Sequence, residues 1–169
     1  QIPKILPGMT CLENVMLGNH CRSTFDLVGT WLRLPFARSQ QEENIRDKAM
    51  QVLESMGLID AANRMGSDLS WVEEQILQIC RALVSEPKLL LLDEPTAGMG
   101  EVESQQVQDL IKKIQARGIT TIVVAHDMKL INRIAEKVTC LSFGNKIAEG
   151  PCRNVLDDPR VHEVYLGAE

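Results

Sequence analysis

Apolar residues recur along the chain in two spacings, one typical of amphipathic helices and one of buried strands. Three segments open on a capping box, in which Ser or Thr is followed three positions later by Glu. The boxes are Thr10 with Glu13, Ser39 with Glu42, and Ser70 with Glu73, and each precedes apolar residues at helical spacing. The pattern predicts helices after each box, over 101–117 and over roughly 128–137, with residues 1–66 mostly helical.

Three other runs are too continuously apolar for a helix face. Leu89–Leu92 and Ile119–Ala125 read as buried strands, and we expect the first to be covered on both faces, as in a parallel sheet. Val138–Phe143, Gly144-Asn145 and then Lys146–Glu149 predict a hairpin with a two-residue turn. Strands alternating with helices predict an α/β fold with a parallel sheet.

Composition narrows the class of protein. The 169 residues carry a formal net charge of −5, which argues against nucleic acid as the main partner. Five scattered cysteines without a C-x-x-C pair indicate reduced thiols in a cytoplasmic protein. No apolar run approaches the length of a membrane span, and no signal-peptide pattern opens the chain. Because the first residue is Gln1, we expect a fragment or a processed product.

Acidic residues stand where the first strand ends. Asp93 and Glu94 follow the leucine run directly, and Pro95 stops the strand. Ligands bind at the carboxyl ends of strands in open α/β sheets, so this pair suits a metal ion and a polarised water. The alternative is that the two carboxylates only cap a loop. His126 and Asp127 follow the second strand in the same way.

These motifs together resemble the ATP-binding subunits of ABC transporters. Leu89–Pro95 is similar to the Walker B motif, Asp68–Gln75 stands where the LSGGQ signature belongs, and His126 resembles the switch histidine. The segments around Gln1–Val15, Arg81–Met99 and Pro159–Gly167 resemble the branched-chain amino-acid (or urea-type) import subfamily in particular. The resemblance implies a partial P-loop NTPase core with parallel strands and a helical subdomain. Its parts would be residues 1–84 (Q-loop segment, helical subdomain and signature helix) and 85–169 (C-terminal half of the ATPase core).

The resemblance also implies roles for individual residues. Asp93 would hold Mg²⁺, Glu94 would act as general base toward water, and His126 would contact the γ-phosphate of ATP. Gln1, at the Q-loop position, would sense metal and nucleotide. Ser70 and the amides after it would bind the γ-phosphate of ATP held by a second subunit. Val72 and Glu73 lie in that same signature segment, and Gly100 falls at the D-loop position.

The chain departs from the family pattern at several positions. No lysine is followed by Ser or Thr, so a P-loop of the form G-x-x-x-x-G-K-[ST] is absent from this sequence. We therefore expect the N-terminal part of the family's ATPase core to be missing. That would leave Ile119–Ala125 as an exposed edge, so we expect that another chain covers it, that the fold rearranges, or that the chain self-associates. Val72 replaces a glycine of the signature, and Glu73 and Glu74 add negative charge there, which favours Ser70 as a simple N-cap.

Two functions remain open from the sequence. The first is a truncated ATP-binding subunit of a branched-chain amino-acid importer, inactive by itself. Its partners would be transmembrane permease subunits and a second ATP-binding subunit, and its place would be the cytoplasmic face of the plasma membrane. The second is a non-catalytic interaction or oligomerisation module that keeps part of this fold.

Overall fold

The computed structural model describes residues 5–19 and 35–165 of the chain. Its elements alternate between helices and short strands, with two single-turn 3₁₀ helices at Ile59–Ala61 and Gly66–Asp68. In chain order they are α1 (Cys11–Gly18), α2 (Pro35–Ser55), α3 (Trp71–Leu83), β1 (Leu89–Asp93), α4 (Glu101–Ala116), β2 (Thr120–Val124), α5 (Met128–Ile134), β3 (Lys137–Ser142), β4 (Asn145–Pro151), α6 (Cys152–Leu156) and α7 (Pro159–Tyr165).

Two of the three predicted capping boxes begin helices as expected. Thr10 caps α1 and Ser70 caps α3, and in each case the hydroxyl accepts from the backbone N–H of the Glu while the Glu carboxylate accepts from the cap N–H. The third prediction was wrong, because Ser39 lies inside α2 (Pro35–Ser55) and does not begin it.

The strands form two separate pairs. β1 and β2 are parallel, with Leu91 opposite Ile122 and Asp93 opposite Val124. β3 and β4 form the predicted antiparallel hairpin, but Ser142 pairs with Asn145, so the turn residues are Phe143 and Gly144 rather than Gly144 and Asn145. Both turn residues have positive φ, as a tight hairpin turn requires.

The main core joins the helices to one face of the β1–β2 pair. Leu90 lies in one apolar cluster with fully buried residues of α1, α2, α3 and α4. The opposite face is bare: the exposed fractions are 48% for Leu89, 67% for Leu91, 51% for Ile122 and 59% for Val124. We call these four residues the open sheet face. The expectation that β1 is covered on both faces was therefore wrong for this chain.

The hairpin has a smaller cluster of its own. Cys140, Ala148, Val155 and Val161 are buried together there. Within the described ranges, no helix combines the length and the apolar character that crossing a bilayer demands. Helices around a parallel pair of strands confirm the predicted α/β class, while the division at residue 84 stays a prediction.

Candidate functional site

The end of β1 lies beside the end of β2, and this edge carries the acidic pair. Both strands run in the same direction, with Asp93 and Val124 in register at their last positions. The Glu94 N–H then donates to the Val124 carbonyl at 2.8 Å, which extends the ladder by one bond. His126 follows two positions after Val124. Parallel pairing thus brings together groups that are 32 positions apart in sequence.

Glu94 adopts a backbone conformation that side chains other than glycine seldom take. Its φ is +48°, in the left-handed region. Such a conformation persists only where its surroundings hold it, and it occurs often at functional sites. Here the Glu94 N–H donates to the Val124 carbonyl, and the Glu94 carbonyl accepts from the Ala97 N–H at 3.1 Å. The turn at Glu94 is therefore fixed by hydrogen bonds on both sides.

The side chains of Glu94 and His126 form a hydrogen-bonded pair. Oε1 of Glu94 lies 2.8 Å from Nδ1 of His126, and the exposed fractions of the side chains are 18% and 77%. The hydrogen bond to the Glu94 carboxylate, together with its negative charge, raises the pKa of His126 above its usual value. The Glu94 carboxylate is mostly shielded from solvent, whereas the His126 imidazole is exposed. The second ring nitrogen of His126 is therefore accessible to a ligand, and the carboxylate polarises the ring.

Asp93 provides an exposed carboxylate at the same strand end. Among the described residues, no group of three or more His, Cys, Asp or Glu side chains is arranged to hold a metal ion. Mg²⁺ commonly takes one or two carboxylates and completes its shell with water and phosphate oxygens. Asp93, adjacent to Glu94 in sequence, offers one carboxylate of the kind that such a site uses.

The start of α3 holds the signature residues, and they bond to one another. Ser70 Oγ accepts from the Glu73 N–H at 3.4 Å, and the Ser70 N–H donates to Glu73 Oε2 at 2.8 Å. Arg64 adds a two-pronged contact, with Nη1 2.7 Å from Glu73 Oε1 and Nη2 3.3 Å from Oε2. Burial raises the pKa of Glu73, but the bonds from Arg64 and Ser70 outweigh it, so the net pKa lies below the usual value. Glu73 is thus held as an anion.

The other predicted site residues lie in different settings. Val72 is buried in the main core, where its side chain packs with apolar residues. Gly100 is the N-cap of α4, and its N–H donates to Glu103 Oε2 at 3.0 Å. Gln1 lies outside the described residues. Their ligand-binding roles stay predictions.

Sequence reasoning missed three residues that shape these regions. Arg64 holds Glu73, as described above. The Trp71 indole N–H donates to the Ala97 carbonyl at 3.2 Å and so ties the start of α3 to the loop after β1. Asn14 is fully buried, and its amide bonds Leu6 N and the carbonyls of Leu6, Met9 and Thr10. A buried Asn inside an apolar helix face is the signal that could have identified it.

A family model for ABC transporters matches residues 1–97. The chain is 34% identical over 165 residues to the high-affinity branched-chain amino acid transport ATP-binding protein LivG of Escherichia coli strain K12, covering 97% of this chain and 64% of that protein. It is 31% identical over 166 residues to the corresponding protein BraF of Pseudomonas aeruginosa, with the same coverage of 97% and 64%. The chain thus spans just under two thirds of the length of these relatives.

Solved structures give the same picture of the fold. An ATP-binding cassette of an ABC transporter in its ADP conformation superposes with a TM-score of 0.78 at 30% identity, covering 96% of this chain and 65% of that one. A nucleotide-free ATP-binding cassette from an ABC transporter superposes with a TM-score of 0.78 at 28% identity, covering 96% and 65%. The partial ATPase core expected from the sequence is confirmed as the fold.

Proposed function

The chain belongs to the ABC transporter family, and on that premise we propose that it serves as an ATP-binding subunit, or part of one, in the import of branched-chain amino acids or similar small solutes. Relatives at 31–34% identity carry names of that function. The single observation that carries the proposal is the Glu94–His126 pair, joined at 2.8 Å beyond two parallel strands. The left-handed backbone at Glu94 supports a functional rather than a capping role.

Each residue of this site has a proposed task in ATP hydrolysis. Glu94 takes a proton from the attacking water as general base, and His126 orients that water and contacts the γ-phosphate. Asp93 supplies a carboxylate to Mg²⁺, which when bound neutralises phosphate charge. Gln1 senses metal and nucleotide in this proposal. Phosphoryl transfer needs positioning and charge stabilisation above all: Glu94 and His126 would position the water, and Mg²⁺ held by Asp93 would supply positive charge.

The phosphate cradle is not supplied by this sequence. No P-loop lysine occurs among the 169 residues, so the amides and ammonium that hold β- and γ-phosphates have no counterpart here. We propose that the chain alone neither binds ATP tightly nor hydrolyses it. The measurement is ATP turnover by the purified chain, together with its melting temperature with and without Mg-ATP. Turnover that Glu94→Gln abolishes would contradict this part of the proposal.

A chimera tests the catalytic roles directly. The chimera joins an N-terminal segment of the E. coli relative to the start of this chain. That segment precedes the region matched here, and family resemblance implies that it carries the P-loop. We expect the chimera to hydrolyse ATP and Glu94→Gln to lower turnover about a hundredfold or more, as loss of a general base does. Glu54→Gln, an exposed carboxylate on α2, is the matched control and should leave turnover unchanged. Equal turnover in the two variants would refute the role of Glu94.

The proposed partners are transmembrane permease subunits and a second ATP-binding subunit, at the cytoplasmic face of the plasma membrane. An apolar surface near α1 supports contact with a permease: Leu6 and Met65 are exposed, and the Thr10 and Met65 backbones form a bridge. Asn14 fixes the adjoining loop through four hydrogen bonds. A fixed apolar loop suits docking because little conformational entropy is lost on binding.

The second candidate function is a non-catalytic module that associates with another copy of itself. The observation that favours it is the open sheet face, since contiguous exposed aliphatic side chains mark interaction sites. Parallel strands normally have both faces covered. Sedimentation would then show a stable oligomer that Leu91→Lys with Ile122→Lys dissociates, and nucleotide would not shift the melting temperature. Phe143→Lys, at the exposed hairpin tip, is the control substitution. A monomer at all concentrations would remove this candidate.

A further inference from the structure

The loop between β1 and α4 begins with Glu94 and is hydrogen-bonded to two different parts of the molecule. On the strand side, the Glu94 N–H donates to the Val124 carbonyl at 2.8 Å. On the other side, the Trp71 indole N–H donates to the Ala97 carbonyl at 3.2 Å. Within the described part of the chain, this is the one hydrogen bond that joins the loop to the helices preceding β1. Trp71 therefore holds the part of the loop that Val124 does not.

Both bonds act on the same turn of backbone. The Ala97 N–H donates to the Glu94 carbonyl at 3.1 Å, and this bond closes residues 94–97, which we call the Glu94 turn. Ala97 thus closes the turn with its N–H while Trp71 holds its carbonyl. The φ of Glu94 is +48°, and such a conformation persists only where its surroundings hold it. The turn in turn sets where the Glu94 carboxylate meets His126, 2.8 Å away.

The residue after the turn lets the indole lie close to the backbone. Gly98 has a φ of +74°, a left-handed conformation that glycine adopts readily. A Cβ at Gly98 would lie 3.9 Å from Nε1 of Trp71, which is an ordinary van der Waals distance. The edge of the indole ring therefore lies against the peptide between Ala97 and Gly98, and its N–H points at the carbonyl of that peptide.

We propose that Trp71 is a positioning residue for Glu94, because its indole N–H fixes the carbonyl that ends the Glu94 turn and so holds the Glu94 carboxylate beside His126. This inference rests on the proposed function, in which Glu94 is the general base. Trp71 acts through Ala97 and touches no reacting atom. A general base must lie within hydrogen-bond reach of its water, and a displacement of about 1 Å can lower the rate strongly.

Trp71→Phe in the full 169-residue chain tests the proposal, because it removes the indole N–H and keeps an aromatic ring. Trp71 is 38% exposed, and its side chain takes no part in the capping box of Ser70 with Glu73, so we expect the variant to fold. The first readout is hydrogen exchange at the Ala97 amide. This amide reports the bond that closes the turn, not the bond that is removed. We expect exchange to become about fivefold faster, the effect of losing one ordinary hydrogen bond.

The second readout is the titration of His126, followed by NMR of the imidazole. The bond to the Glu94 carboxylate raises the pKa of His126 above its usual value. If the Glu94 turn loosens in Trp71→Phe, this bond weakens, and the pKa of His126 should shift down toward its usual value. A merely structural role of Trp71 in α3 would leave this titration unchanged.

Arg117→Gln is the matched control, since it removes another bond between distant parts of the chain. Arg117 Nη1 donates to Ser55 Oγ at 3.3 Å, just before the start of β2 and thus away from the strand ends that carry Glu94. Both readouts should keep their wild-type values in this variant. The same changes in Arg117→Gln as in Trp71→Phe would overturn the inference, because they would reflect a general loosening of the fold.

The outcome for Trp71→Phe itself is equally sharp. A wild-type value for either readout in the folded variant would overturn the inference. If Trp71→Phe does not fold, Trp71→Leu, which also lacks the donor, takes its place. Neither readout involves nucleotide, so a failure here is distinct from a failure of the proposed function, which the turnover of the chimera tests through Glu94→Gln.

Discussion

The helical region (residues 5–19 and 35–84) and the strand region (residues 85–165) differ in how completely they bury their own groups. In the helical region even a polar side chain, Asn14, is fully enclosed and fully hydrogen-bonded, beside buried leucines such as Leu77. In the strand region the open sheet face leaves four aliphatic side chains about half exposed or more. The two regions share the main core, and the difference lies at the strands, where one sheet face stays exposed to solvent in the described residues.

The largest expected effect is the difference in stability lost when the same substitution, Leu→Ala, is made in each of the two regions. Leu77→Ala removes a fully buried side chain from α3 and should lower the free energy of unfolding by about 3–5 kcal/mol, the range of core Leu→Ala changes. Leu91→Ala on the open sheet face should change it by less than about 0.5 kcal/mol. Urea denaturation of both variants measures the difference. Similar losses at both positions would mean that the open face is covered in solution.

A smaller effect is expected when the buried hydrogen bonds of Asn14 in the helical region are removed. Asn14→Ala leaves the Leu6 N–H without its partner, at a cost of about 1–3 kcal/mol, whereas the carbonyls of Leu6 and Met9 keep the bonds that they accept from the Met9 and Gly66 N–H groups. Hydrogen exchange at the Leu6 amide should also become faster. Asn145→Ala, an exposed asparagine of the strand region, is the matched control and should stay within about 0.5 kcal/mol of wild type. Unchanged exchange at Leu6 would argue against the Asn14 bond.

The smallest expected effect is a change in the pKa of His126 when its partner Glu94 in the strand region is replaced. The pKa of His126 should lie above its usual value of 6.5 and fall back toward it in Glu94→Gln, because the carboxylate that stabilises the imidazolium is removed. A raised folded-state pKa means that any contribution to stability is fully present below the unfolded pKa and is lost as pH rises through the folded pKa. NMR titration of the imidazole measures both values. An unaltered His126 titration in Glu94→Gln would mean that the pair does not form.

Local signals in the sequence explain which predictions were correct. The boxes at Thr10 and Ser70 were found because a capping box is a contact between residues three positions apart. A parallel sheet was expected from the alternation of strands and helices, whereas the pairing of β1 with β2 and the meeting of Glu94 and His126 came from the structure. The hairpin turn was misplaced by one residue, since the turn is fixed by the pairing of Ser142 with Asn145 and by the irregular register at Cys140 and Leu141.

Contacts between distant residues explain what was missed. The bond from Trp71 to Ala97 spans 26 positions. Arg64 reaches Glu73 because the 3₁₀ turn at Gly66–Asp68 brings the chain back to the start of α3. Neither contact follows from periodicity, because both depend on the path of the chain between the two partners.

The sequence by itself determined the kinds of element, the caps of α1 and α3, and the order of motifs at the strand ends, since these follow from neighbours within a few positions. Only the tertiary structure decided that one sheet face is buried and the other is bare. It also decided that Glu73 holds an arginine at the helix start, where the family resemblance expects phosphate. The physical reason is that burial and ion pairing are set by distances through space, which spacing along the chain does not fix.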